Sequence, residues 1–337
     1  MVRTDSATDP LEEILALGGA ALRRRMARAE AELVALTGGG DGAGDGSLVR
    51  EAAETIAAGG KRLRPLLVFI AGDDAGRAAG DEPLVRAAVS VELIHSATLV
   101  HDDVLDAAPV RRGRPTVFAK SGRLQATAAG DLLFATAFSH LADNGDSRQL
   151  QALSVASSAL VKGELIQRED AWNANISVAR YLRRCELKTG RLFEAACELG
   201  ALASGADADL GTALKGFGLQ IGLAFQILDD VLDVTGSSTS TGKQRGADLL
   251  DGTVTLPLIL AREVDTRLRT LDLRTIDTAP RAEALCDQIA ATDAPQRARR
   301  QALEIVAAAK HGLPAPMRAD QRRALELVAD GVVDRYA

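Results

Sequence analysis

A chain of 337 residues, 47% apolar and 26% charged, is long enough to bury a sizeable hydrophobic core. Only 3% of it is aromatic, and Ala, Leu and Val dominate the apolar share, which favours close-packed helices over sheets. A formal charge of -6 excludes a general nucleic-acid binder, because a phosphate backbone demands a basic face, so any recognition of phosphate has to be local.

From Pro10 to about Leu36 the pattern is helical, and the glycine-rich "TGGGDGAGDG" that follows reads as a mobile loop over about 37–46. Amphipathic stretches follow at about 47–58, 65–77, 82–106, 117–142, 147–169, 177–203 and 206–235. Short Gly, Pro, Asp or Asn breaks separate them, and none alternates at period two. The Ser-, Thr- and Gly-rich segment 235–252 reads as a second mobile loop, after which helical pattern resumes beyond Pro257 and runs to Ala337. The expectation is an all-α fold, one large helical bundle with residues 1–337 as a single domain. Cys185, Cys197 and Cys286 show neither a disulfide framework nor Cys-x-x-Cys spacing, so they read as reduced core thiols of a cytoplasmic protein. No apolar run approaches the ~18 to 20 residues that span a bilayer, and the N-terminus lacks the apolar core of a signal peptide, so no membrane span is expected.

One short motif recurs. "DDVLD" stands at Asp102, Asp103 and Asp106 and again at Asp229, Asp230 and Asp233. On a helix its first and fifth positions share a face, so each copy projects carboxylates into a small volume where they repel one another. A solvated acidic face is the ordinary reading of one such cluster. Here both copies follow apolar runs, "LIHSATLV" and "IGLAFQIL", which puts them at core-facing helix ends. Oxygen-only ligands suit a hard divalent ion, and Mg²⁺ is commonly held by one or two carboxylates plus substrate phosphates. Beside the first copy stand Arg111 and Arg112, and "GGKRLRP" carries Lys61 and Arg64 at a helix start, as either a solvated helix end or a metal-free anion site. The spacing of a nucleotide P-loop is missing. A metal-lined and a metal-free diphosphate site together imply two substrates that each carry a diphosphate.

The ordered stretches "GGKRLRPLL", "ELIHSATLVHDDVLD", "RRGRPT", "GDLLFA", "LKTG" and "GLAFQILDDVLD" with "GK" and "DLLDGTVTLP" resemble the motif set of the trans-isoprenyl diphosphate synthases, the polyprenyl synthetase family, over about residues 50–262. The resemblance implies the isoprenoid-synthase bundle with a central cavity, working as a homodimer, with "GDLLFATAFSHLA" as either a subunit face or an ordinary core helix. It implies a prenyltransferase that joins isopentenyl diphosphate to an allylic prenyl diphosphate, with the six aspartates holding several Mg²⁺ ions, about three to a site. Arg111, Lys188, Lys243 and Gln226 correspond to contacts with the allylic substrate, with Thr189 beside them at a helix break before Gly190. Lys61, Arg64, His95 and Arg112 correspond to the isopentenyl diphosphate pocket. His95 lies two helical turns before Asp102, where a packed core histidine is the alternative. Catalysis would be electrostatic, with no side-chain nucleophile, the proton leaving with the diphosphate.

One position departs from the family. Where many relatives carry a lysine before "TLP", this chain has Thr253, so one cationic contact to the allylic diphosphate is missing. Product length rests on Thr98 and Ala97, four and five residues before Asp102 and ~6 to 7.5 Å back along the helix. Small residues there resemble the long-chain bacterial pattern and imply a product longer than geranylgeranyl. A bulky residue further down, Phe134 or Phe138, would stop the chain earlier. A terpene cyclase would carry a different second motif, and a non-catalytic subunit of a heteromeric synthase would have lost aspartates that this chain keeps.

Overall fold

The computed structural model describes residues 10–38, 60, 62–73, 81–111, 113–236 and 245–334. Lys61, Arg112 and Lys243, the expected helix at 47–58, most of the first expected mobile loop and residues 237–244 of the second lie outside the described residues. The first helix is two, Pro10–Leu17 (α1) and Gly19–Gly38 (α2), because Gly19 takes a φ of +58° that an uninterrupted helix cannot contain. Leu63–Ala71 (α3) ends at Gly72, and Glu82–Leu105 (α4), Val117–Ala142 (α5) and Ser147–Glu169 (α6) follow the amphipathic pattern closely. Between α4 and α5 the chain makes a small antiparallel hairpin, Val110–Arg111 (β1) with Arg114–Pro115 (β2), too short for any period-two signal.

The expected helix 177–203 is continuous in space but changes its winding. Val178–Cys185 (α7) runs into a π-helical turn, Glu186–Gly190, and then into Arg191–Ser204 (α8), so there is no break before Gly190. Ala208–Thr235 (α9) is the longest helix described. Beyond it Ala247–Leu250 (α10) forms a short helix inside the expected loop, followed by Leu256–Val264 (α11), Thr266–Thr270 (α12), Ala279–Ala290 (α13), Ala294–His311 (α14) and Ala319–Asp334 (α15). Side-chain caps fix the starts of the main helices. Thr116 accepts from the Ala119 amide at 3.0 Å, Asp146 from Arg148 at 3.0 Å and Asp207 from Leu210 at 2.8 Å.

The result is an all-α bundle in which α4 packs against α5, α3 and α8, while α9 lies against α8 and α14. Phe69, Phe193, Phe217 and Tyr181 fill the interior with Leu67, Leu93, Ile221 and Leu228, each such residue contributing roughly 1.5–3 kcal/mol on full burial. All three cysteines are free and buried, as expected. One expectation needs correction. By length and composition α4 is apolar enough to cross a membrane, with 72% of its most apolar window buried inside the protein. Its hydrophobicity is taken up by the bundle, since Val85, Ala88, Val89, Leu93 and Ile94 are completely buried.

Small residues let the helices that carry polar groups come close. A Cβ on Gly163 of α6 would stand 2.6 Å from the Lys188 amide nitrogen, so glycine there is what allows α6 to lie directly on the π-helical turn.

Candidate active site

The ends of α4 and α9, the π-helical turn and the 245–253 segment enclose a cavity of about 690 Å³. Six carboxylates line it, those of Asp102, Asp106, Asp229, Asp230, Asp248 and Asp251, against the cations of Arg64, Arg111, Arg184 and Lys188. Leu99, Leu160, Leu192 and Phe225 supply its apolar wall. Both recurrent acid motifs therefore open onto one space.

The members of each motif differ in what they do. Asp102 lies in the wall, where burial pushes its carboxyl up to about 6 against the opposing pull of Lys188. Asp103 is turned away, buried, and accepts from Arg111 Nε at 2.7 Å, which holds the arginine at the cavity edge. Asp106 pairs with Arg168. In the second motif Asp230 is buried and pushed up to about 8 by that burial, while Tyr181 donates to its Oδ2 at 2.6 Å and Gln226 to its Oδ1 at 2.8 Å. Gln226 in turn accepts from the Thr189 hydroxyl at 2.7 Å, so π-helical turn and α9 are tied through one hydrogen-bonded chain. Asp233 does not line the cavity, and its carboxylate accepts from the Asp248 amide at 3.4 Å where the 245–253 segment returns.

The π-helical turn brings Lys188 and Thr189 to the same wall, a placement that such turns often serve. Lys188 Nζ donates to Glu164 Oε2 at 2.6 Å and Gln167 Oε1 at 3.1 Å. Burial alone would lower its pKa, but Asp102 and Glu164 outweigh burial and hold it above the usual lysine value. Glu164 also accepts from Arg168 at 2.8 Å, and Arg168 reaches Asp251 at 3.9 Å. A belt of alternating charge thus runs from α4 across α6 to the 245–253 segment.

Of the residues singled out in the sequence, Asp102, Asp106, Asp229, Asp230, Arg64, His95, Thr98, Arg111, Lys188, Thr189 and Gln226 all line the cavity. Asp103, Asp233 and Ala97 do not, and Ala97 is fully buried. Phe134 and Phe138 pack against the core and are likewise absent from the wall. Sequence reading missed Glu164, Gln167 and Arg168 on α6, Tyr181 and Arg184 on α7, and Asp248 and Asp251. The spacing Glu164 to Arg168 was a visible i,i+4 pair, and Tyr181 is one of only two tyrosines, but their partners lie far away in sequence.

Among the described residues no three Asp, Glu, His or Cys side chains converge closely enough to hold an ion by themselves. The donor set still fits Mg²⁺, which is satisfied by one or two carboxylates with phosphate oxygens and water completing the octahedron. The surplus of carboxylates in the wall would repel a diphosphate unless divalent ions lay between them. A covalent role for the cavity thiol is disfavoured, because burial pushes Cys185 up to about 12 and keeps it protonated.

A sequence model of the polyprenyl synthetase family matches residues 47–291. The chain is 43% identical over 217 residues to heptaprenyl diphosphate synthase component 2 of Geobacillus stearothermophilus, covering 64% of this chain and 67% of that protein. It is 38% identical to a geranylgeranyl diphosphate synthase of Methanosarcina mazei over 63% of this chain and 67% of that one. Among solved structures, a polyprenyl synthase from Caulobacter crescentus complexed with calcium and isoprenyl diphosphate superposes with a TM-score of 0.87 at 34% identity, over 100% of both chains.

Burial of Asp102 makes a stability prediction. Its folded-state pKa of about 6 lies above the ordinary carboxylate value, so its contribution to stability is fully present below about pH 4 and is lost as pH rises through about 6. In metal-free protein, Asp102→Asn will raise the urea midpoint at pH 8 and leave it equal to wild type near pH 4. Equal midpoints at both pH values would show that the carboxyl is not held in a desolvated place.

Proposed function

The chain belongs to the polyprenyl synthetase family, and on that footing we propose that it condenses isopentenyl diphosphate with an allylic diphosphate in successive head-to-tail steps to give a polyprenyl diphosphate. One observation carries the reading: carboxylates of both acid motifs and the cations Arg64, Arg111 and Lys188 line a single cavity with an apolar wall. Asp102, Asp106, Asp229 and Asp230 would hold Mg²⁺, with Asp103 orienting Arg111 and Asp233 anchoring the 245–253 segment. Bound there, the ion supplies positive charge that neutralises the diphosphate as it leaves.

The chain's own residues do the rest. Lys188 and Arg111, with Lys243, bind the allylic diphosphate and take up charge as its C–O bond breaks. Arg64 and His95, with Lys61 and Arg112, bind isopentenyl diphosphate so that its double bond faces the allylic cation. Thr189 and Gln226, hydrogen-bonded to each other in the cavity wall, offer oxygen lone pairs near that cation, and Leu99, Leu160, Leu192 and Phe225 keep water from it. The proton lost after the new C–C bond forms passes to the departing diphosphate. Incubation with isopentenyl diphosphate, an allylic primer and Mg²⁺ will give chain-extended product, and Asp229→Ala will lower turnover by roughly 100-fold or more with the fold retained. An Asp229→Ala enzyme with wild-type turnover would remove the assignment of the second motif.

Product length depends on where the tail runs. Thr98 lies in the cavity wall one helical turn before Asp102, and its small side chain supports a product longer than geranylgeranyl. Thr98→Tyr will therefore shift the dephosphorylated alcohols to shorter chains on chromatography, and an unchanged distribution would place the floor elsewhere.

The apolar side chains Leu124 and Leu132 on α5 and Val161 and Leu165 on α6 are exposed, which supports a homodimer formed through these two helices. Sedimentation at micromolar concentration will give the mass of two chains. A monomer would overturn that arrangement.

A further inference from the structure

One cation in the cavity wall has no part in the reaction just described. Arg184, near the end of α7, is only 3% exposed although it lines the cavity. Its Nη2 donates to the Val254 carbonyl at 2.7 Å, and its guanidinium lies over the Tyr181 ring at 5.3 Å. Among the described residues its Nη1 is buried without a hydrogen-bond partner and the guanidinium makes no ion pair, although its charge acts at longer range on the buried Asp230 carboxyl. A permanently charged group kept in that state is costly unless an anion completes it. Nothing in the carbonyl contact or the ring contact calls for a full positive charge, since a neutral donor would serve Val254 equally well.

The place of this charge matters. Val254 directly follows Thr253, which also lines the cavity and is a short neutral residue where the resemblance to the family implies a lysine. The guanidinium therefore stands against the segment from which that lysine would have reached into the cavity. Its own anchor comes from α7, 70 residues earlier in the chain.

We propose that Arg184 replaces the missing lysine: it is a specificity-determining cation at the cavity wall whose charge draws the phosphoryl oxygens of the allylic diphosphate to that side. The inference rests on the prenyltransferase reading for the identity of the substrate, but the anion it requires, a diphosphate, is tested directly. The charge has moved from the 248–257 segment to α7 while keeping its place at the cavity wall. Arginine suits this position better than lysine, because one nitrogen of its planar fork is held by a carbonyl while the charge stays delocalised over the whole group at the cavity wall.

The test uses Arg184→Gln, which keeps a donor for Val254 without the charge, and Arg184→Met, which removes both. Calorimetric titration with inorganic pyrophosphate in the presence of Mg²⁺ will show affinity reduced by about ten-fold or more in both variants. The KM for the allylic diphosphate will rise while that for isopentenyl diphosphate stays put. Adding Thr253→Lys will recover most of the lost affinity in the Arg184→Gln background and gain far less in wild type, the non-additivity expected of two cations serving one site. Wild-type affinity in a folded Arg184→Gln protein, or an equal gain from Thr253→Lys in both backgrounds, overturns the proposal. If wild type forms no chain-extended product while Arg184→Gln still loses pyrophosphate affinity, the reaction falls and the cation site stands. If wild type forms product and its affinity is untouched by the substitution, only the cation site falls.

Discussion

Repulsion among carboxylates is the constraint around which this protein is organised. Two acid motifs on two long helices open onto one cavity of about 690 Å³, and each added ionised group there costs more than the last. The fold answers with cations placed between them. Lys188 reaches Glu164 and feels Asp102, Arg168 joins Asp106 to Glu164 and Asp251, and Arg111 is drawn onto Asp103. Burial adds to the cost, raising the carboxyl of Asp102 to about 6 even against the pull of Lys188, and that of Asp230 to about 8, where repulsion from Asp248 contributes. Groups held so far from their preferred ionisation are poised to accept positive charge from outside, which is what a metal-assisted diphosphate site requires.

Backbone packing delivers the cations to these positions. The π-helical turn at Glu186–Gly190 adds a residue to the winding and lets the adjacent Lys188 and Thr189 both meet the cavity. Close approach by α6, which only glycine at 163 permits, sets Glu164 and Gln167 against the lysine. The chain from Thr189 through Gln226 to Asp230 and Tyr181 then locks α7, the turn and α9 together. Polar groups that satisfy one another in this way hold a single arrangement, because any partial rearrangement leaves a buried donor or acceptor unpaired.

Legibility in the sequence followed the range of the interactions involved. The helices α4, α5, α6 and α9 were readable because apolar spacing and capping residues act within a few positions. Both acid motifs were readable because a repeated pentapeptide needs no knowledge of the fold. The β1–β2 hairpin, the split at Gly19 and the short α10 were not, being too brief to show a period or dependent on one backbone angle. The apolar length of α4 was underread because Arg86 and Glu92 interrupt its apolar run within the helix, and Glu92 is buried in the bundle with Arg62 as its partner.

What the sequence alone determined is the chemistry available: two triplets of aspartate, a set of basic residues in family order, a threonine in place of a lysine, and helices to carry them. The order of motifs was enough to identify the family, since local spacing is preserved in the chain itself. Tertiary structure alone decided how those aspartates divide, with Asp102, Asp106, Asp229 and Asp230 in the wall while Asp103 and Asp233 support neighbours. It also decided that Arg184 lies buried beside Val254 and that Glu164 meets Lys188, contacts spanning 70 and 24 residues. The reason is physical. A side chain's type fixes what it can donate, accept or charge, but its burial and its partner are set by helices brought together across the bundle, and nothing in local spacing encodes that meeting.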